Sequence, residues 1–415
     1  MKKNTLKIAL AILAIVILAS CSSPVGSGKG GGVTGGGSTG GEGAIRLSFA
    51  ADSRTLVDTA TELANMVHTV TCTGPGGTVT EEFSGTSGTI MLAAGRWTIS
   101  VRATGDRPAA YVSSSSPPPT GVAGFPARML RAMSDDVVVE VTPGNTSTVP
   151  VQMIPATEAS NSYQLALASD MVNDNGKEEI LLVSADLDFS SVGYTNAGFK
   201  PTQNIRIMAD KPVRLHSVTG LGPMITVLGK LTLGWPGMKG SLILDLNLSS
   251  FNKPIIWVGD ASNSGEFIMY NGVTLTGNNF PGNGGGVFVE NGTFTMNGGE
   301  ISGNTAGATS NGGGVFVAPD GIFNMNGGEI KSNKSSSNGG GVYVMLGGTM
   351  VKNGGTIYGP PSDLMNQVTS GGFPGHAVFV NLITLYTWRN STVGPNERFS
   401  VASGVVTGGG PWDDL

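Results

Sequence analysis

The chain has 415 residues, of which 65 are glycine, 13% are charged and two are cysteine, with a formal net charge of −5. That length allows two or three domains, and the glycines follow no collagen period. The balance is mildly acidic, with no basic stripe and no interleaved basic and aromatic residues, so nucleic acid is excluded as an expected partner.

Residues 1–20 read as a targeting signal. Lys2, Lys3 and Lys7 form a positive region, and residues 8–19 are an apolar run too short to span a bilayer as a mature helix. Leu18-Ala19-Ser20-Cys21 follows and resembles a bacterial lipobox. The resemblance implies that Cys21 is lipidated and becomes the mature N-terminus, so the membrane is the first expected partner. Two or three acyl chains anchor stably where one is marginal. Residues 21–43 form a Gly/Ser-rich tether that cannot bury apolar area. Ser22 and Ser23 stand where an aspartate would resemble an inner-membrane retention signal. The expected location is therefore the outer membrane, exposed at the surface, with the periplasmic face as the alternative. Cys72, left without a partner, is expected to be a buried strand thiol.

Residues 44–157 read as a small β-domain. Strand-like runs fall at 44–49, 67–72, 88–92 and 97–103, the last with regular alternation. Runs at 137–141 and 148–153 flank the turn signal Thr142-Pro143-Gly144-Asn145. The line from Leu92 to Val101, with the later V-x-V-x-P-G-x-x-x-x-V-x-V pattern, resembles Ig-like or prealbumin-like β-sandwich modules of bacterial surface proteins. Residues 157–177 read as a polar junction.

From Glu178 onward, short strands alternate with Gly, Pro, Asn and Asp, without helical periodicity. Between Asn283 and Val344 one line is written three times: Gly284-Gly285-Gly286-Val287-Phe288-Val289 recurs at Gly312–Val317 and, with tyrosine, at Gly339–Val344. The spacing is 28 residues from Val287 to Val315 and 27 from Val315 to Val342. Short strands at such a period, with no helices between them, predict a right-handed parallel β-helix over residues 178–413, with about eight or nine coils. The coils align in three ladders. Phe267, Phe294, Phe323 and Met350 share the first, Leu275, Ile301, Ile330 and Ile357 the second, and Val287, Val315, Val342 and Val378 the third. Lys352 breaks the apolar pattern of the first ladder, so the regular stack is expected to end near it. Asn278/Asn304/Asn333 and Asn283/Asn311/Asn338 are expected as structural corner ladders, the glycines supplying positive φ.

The lipobox, the tether, the G-G-G-V-[FY]-V repeats and the Arg389-Asn390-x-Thr392-x-Gly394-Pro395 ending together resemble surface lipoproteins of spirochaetes, treponemes in particular. The resemblance implies a surface protein of the pectate-lyase-like β-helix superfamily with no defined activity. A solenoid needs covered ends, and the C-terminal tail is expected to cap one.

No catalytic constellation or cofactor motif stands out. Asp135-Asp136 and Asp413-Asp414 lie outside the repeats. His68, His216 and His376 are too scattered for a metal site. Glu300 and Glu329 share a repeat position and should stack about 5 Å apart, near the separation used by retaining glycosidases. Their counterparts are Thr274 and Thr356, and Lys331 lies nearby. The more suggestive feature is the central aromatic of each V-[FY]-V: Phe288, Phe316, Tyr343 and Phe379. If the valines fill the bore, these rings form an outward stripe that could bind a glycan or a host or matrix protein. The alternatives are inward rings with outward valines, or a loop over the stripe. The expected function is a non-enzymatic, adhesin-like scaffold; the alternative is a carbohydrate-active β-helix enzyme, a polysaccharide lyase or hydrolase.

Overall fold

The computed structural model describes residues 41–51, 63–111, 118, 120–172, 178–188, 197–199, 203–216, 224–246, 253–307, 309–369, 375–382, 386–408, 410 and 412–414. The signal segment 1–20, Cys21 and the tether up to residue 40 lie outside them. The protein is all-β, with a parallel β-solenoid of about six turns.

Among the described residues eight strands precede the solenoid: β1 (Glu42–Ala51), β2 (Val67–Gly74), β3 (Gly77–Ser84), β4 (Ser87–Ala93), β5 (Gly95–Asp106), β6 (Arg128–Met133), β7 (Val137–Val141) and β8 (Thr146–Ala159). β1 pairs antiparallel with β4 and parallel with β8. A second set forms around β5, which pairs antiparallel with β2, β6 and β7, while β2 also pairs with β3. The two sets share one apolar core, with Ile45, Leu47, Leu92 and Val151 on one side and Val70, Trp97, Ile99 and Val101 on the other. The period-2 alternation of β5 does this, since alternate side chains point to opposite faces. Trp97 lies flat against Gly74, where any Cβ would come within 2.4 Å of the indole, so the position requires glycine.

β8 leaves this unit without a break. Its last four residues, Ala156 to Ala159, pair in parallel with Ile180 to Val183 of β9 (Glu178–Val183). The solenoid thus starts on a strand that the N-terminal unit supplies, and Leu130, Met133, Ala156, Ile180 and Leu182 seal the seam. Between β8 and β9 stands a helix that the sequence does not announce, α1 (Ser162–Met171). Asn161 caps it, its side chain accepting from the Gln164 amide at 2.9 Å. Tyr163, Leu165, Leu167 and Ala168 join the solenoid core, so α1 covers the open end of the bore. It has no amphipathic stripe because its first seven residues are all buried.

The three expected ladders are present. In the first, Phe267, Phe294, Phe323 and Met350 are in register, and the phenylalanine rings stack at 4.8 and 4.9 Å. The second aligns Leu275, Ile301, Ile330 and Ile357, the third Val287, Val315, Val342 and Val378. A short fourth ladder at the corner pairs Asn279–Phe280, Thr305–Ala306, Lys334–Ser335 and Gln367–Val368. The expectation of eight or nine coils is corrected to about six turns. Dividing the length by 27 fails for two reasons. The coil from Lys230 to its register partner Glu266 is longer than the repeat, and the tail is not coiled at all.

That tail closes two ladders with reversed strands and the third with a single antiparallel bridge. Phe399–Ala402 runs antiparallel to Thr349–Lys352, Tyr386–Arg389 antiparallel to Val378–Asn381, and Val393 bridges antiparallel to Ile357. Parallel stacking cannot continue past such strands, which protects the edge. Lys352 marks the stop. It is fully buried, and its ammonium donates to the carbonyls of Gly394 at 2.7 Å and Glu397 at 3.0 Å. Burial lowers its pKa to about 8.

The corners explain the repeat's composition. Asn278, Asn304 and Asn333 are fully buried, and Asn366 adds a fourth rung. Each rung binds the coil before it: Asn304, Asn333 and Asn366 donate to the carbonyls of Leu275, Ile301 and Ile330 at 3.0, 2.9 and 2.9 Å. In the glycine triplets the first glycine has φ of +73°, +68° and +63° in successive coils. A Cβ on the third would meet the next coil's carbonyl at about 2.7 Å. The triplets therefore serve close stacking of backbone.

Candidate functional site

The aromatic ladder lies where the V-[FY]-V alternation puts it, on the opposite side of the third ladder from Val287 and Val289, which fill the bore. Phe288, Phe316, Tyr343 and Phe379 stack face to face at 5.1, 5.2 and 5.3 Å. They do not form the exposed stripe that the sequence suggests. Phe316, Tyr343 and Phe379 are 4%, 8% and 3% exposed, in a small cluster of their own with Ala318 and Trp388. Strand spacing explains this: at about 4.8 Å per coil each ring covers the faces of its neighbours, and Trp388 of the tail lies opposite Phe379. Only Phe288 is half-buried. Beyond it lies Trp257, its ring 4.9 Å away and tilted by 50°. Trp257 is itself engaged, donating to the Glu290 carboxylate at 2.7 Å with the Lys253 ammonium 4.2 Å over its ring.

The outward face of the second ladder is different. Its register forms a column of Arg214, Ile243, Thr274, Glu300, Glu329 and Thr356 beside a column of His216, Asp245, Thr276, Ser302 and Lys331. Glu300 and Glu329 do stack as neighbours in register, and Lys331 clamps both, at 2.9 and 2.7 Å. Tyr358 donates to the same Glu329 carboxylate at 3.0 Å. The hydrogen bond from Lys331 outweighs burial and holds the Glu329 pKa below its ordinary value. Burial works against the Lys331 ammonium, but its bonds to Glu329 and Glu300 prevail and raise its pKa. Two coils before Glu300, Asp245 pairs with Arg214. Between these ion pairs opens a hollow of about 450 Å³ lined by Ile243, Thr274, Asn271, Gly299 and the two glutamates.

A third cluster, which no repeat signals, lies at the seam between the N-terminal unit and the first coils. Arg206 is almost wholly buried, pairs with Asp135 at 2.5 Å and with Glu178, and places its guanidinium 3.6 Å over the Trp235 ring. Asp135 comes from the turn between β6 and β7, so residues far apart in the chain meet here and no spacing could reveal it.

The three histidines are far apart. His68 is buried and stacked on Phe49 at 4.3 Å. His216 approaches Asp188 at 3.8 Å, and His376 Nδ1 accepts from the Val368 amide at 3.2 Å. Cys72 is a free, buried thiol whose pKa burial raises to about 11. Among the described residues no group of His, Cys, Asp and Glu could hold a metal ion, and no helix is long and apolar enough to cross a membrane. Comparison with family models, with curated proteins and with solved structures returned no significant match.

Proposed function

We propose that the protein is a lipid-anchored bacterial surface scaffold, of the kind the treponeme-like lipobox and repeats suggest, that binds a glycan without cleaving it. The observation that carries this reading is the outward face of the second ladder. Through successive coils it presents half-buried hydroxyl, carboxylate and guanidinium groups beside a 450 Å³ hollow, within the size range of ligand sites. Hydroxyl-rich ligands match such a lining, and the fixed spacing of the coils suits a repeating polymer. The Lys331 clamp supports binding over acid–base chemistry. A general acid needs a carboxyl held protonated by a raised pKa, whereas Glu329 is shifted the other way. The right-handed winding and an Ig-like or prealbumin-like identity for the N-terminal unit belong to the same proposal. The shared core of its two strand sets supports the N-terminal identity, and the handedness of parallel crossover connections supports the winding.

The test is a glycan and matrix-protein array probed with the full chain, parent and Glu300→Ala/Glu329→Ala. At least one glycan should be retained by the parent and weakened tenfold or more in the variant. Equal retention by both would remove the second ladder as the site, matrix protein alone retained would change the ligand class, and new reducing ends on a retained glycan would favour the enzyme. The anchor is tested separately: Cys21→Ser should abolish palmitate labelling and release the chain from the membrane fraction.

A further inference from the structure

We propose that the seam between the N-terminal unit and the solenoid is a second binding site, for a neutral saccharide ring. It holds a pocket of about 400 Å³, again within the range of ligand sites. One wall is the outer face of β2 and β5. There Thr71 lies opposite Ser100 in register, both turned away from the core that Cys72 and Val101 enter. The other wall is the first coils of the solenoid, with Met208 and Ile180 as apolar lining and Trp235 beside them.

Trp235 is a built platform. Arg206 stacks on its ring, and that guanidinium is 3% exposed and held by carboxylates from both units, Asp135 and Glu178. A buried charge fixed from two sides holds the indole in one orientation. Charge then narrows the ligand. Arg102 pairs with Asp210, and Arg206 with Asp135 and Glu178. Of the pocket's lining this leaves Asp136 and Lys239, one of each sign, both exposed. A balanced rim does not select a strongly charged ligand. A pyranose has an apolar C–H face for the indole and an edge of hydroxyls for Thr71, Ser100 and Asp136. Neither unit makes this pocket alone.

Isothermal titration calorimetry of the full chain against neutral monosaccharides tests the site, with uronic acids and amino sugars as comparison arms. At least one neutral sugar should bind saturably at one site, with affinity reduced tenfold or more in Trp235→Ala and in Asp136→Ala. Glu300→Ala/Glu329→Ala should bind it like the parent, which separates this pocket from the second-ladder face. Should Trp235→Ala lose the parent's circular dichroism, Asp136→Ala and Thr71→Val carry the test. The proposal is overturned by no neutral sugar binding, by binding of charged sugars only, by variants that bind as the parent does, or by loss of binding in the glutamate pair.

Discussion

The N-terminal unit and the solenoid are both made of strands, yet they hold together in different ways. In the N-terminal unit each core contact occurs once: Trp97 against Gly74, Phe49 against His68. In the solenoid a contact is repeated along a column, as Phe267, Phe294 and Phe323 show. A column couples neighbours in series, so its stability is a sum of coil and interface contributions. It also saturates its own side chains. Ring stacking and asparagine laddering use the groups that a ligand would need, and that is why the aromatic column is interior material while the mixed polar column of the second ladder stays open.

Double substitutions probe this contrast most strongly. Phe294→Ala and Trp97→Ala should each cost about 3–5 kcal/mol in denaturant unfolding. Phe294→Ala with Phe323→Ala, stacked at 4.9 Å, should depart from additivity by about 0.5–3 kcal/mol. Phe294→Ala with Trp97→Ala, in separate cores, should add within about 0.5 kcal/mol. Additive behaviour inside the column would contradict the serial picture. Asn333→Ala is expected to cost somewhat less, about 1–3 kcal/mol. It leaves the Ile301 carbonyl and the Asn304 amide without the partners they now have at 2.9 and 3.0 Å. A loss below about 0.5 kcal/mol would show that the ladder is dispensable.

Two pH effects separate the regions further. Lys352, at the end of the column, has a folded pKa of about 8 against an ordinary 10.5. Between those values the unfolded chain carries the proton and the folded chain does not, so this residue makes stability rise with pH from about 8 to about 10.5. The difference between parent and Lys352→Met across that window isolates the effect from tyrosine ionisation, and a flat difference would refute it. The smallest expected effect is at His68, whose pKa burial lowers from 6.5. As pH falls through 6.5 the unfolded chain is protonated first, so the N-terminal unit loses stability on acidification. His68→Phe, which keeps the stack on Phe49, should remove that dependence in thermal melts between pH 5 and 7.

Much of the solenoid is legible in the chain because a repeat states its own register. The glycine triplets, the asparagine corners and the odd Lys352 each point to a place in the stack. The hidden parts share a cause. α1 lacks a stripe because it is buried nearly all round, and the lengthened coil after Lys230 carries no repeat to count. The Arg206–Trp235 cluster depends on Asp135, 71 residues away from Arg206. The candidate sites follow the same division. The Glu300/Glu329 stack and the relief that Lys331 gives it could be read from spacing, whereas the Tyr358 hydroxyl that donates to Glu329 could not.

By itself the sequence determined the period, the register of the ladders and the need for glycine at the corners, because these follow from local backbone geometry and 27- or 28-residue spacing. Only the tertiary structure decided which outward column is open. Exposure is set by what neighbouring coils and the returning tail place over a side chain: rings of one kind cover one another at strand spacing, and unlike polar groups leave a hollow between them.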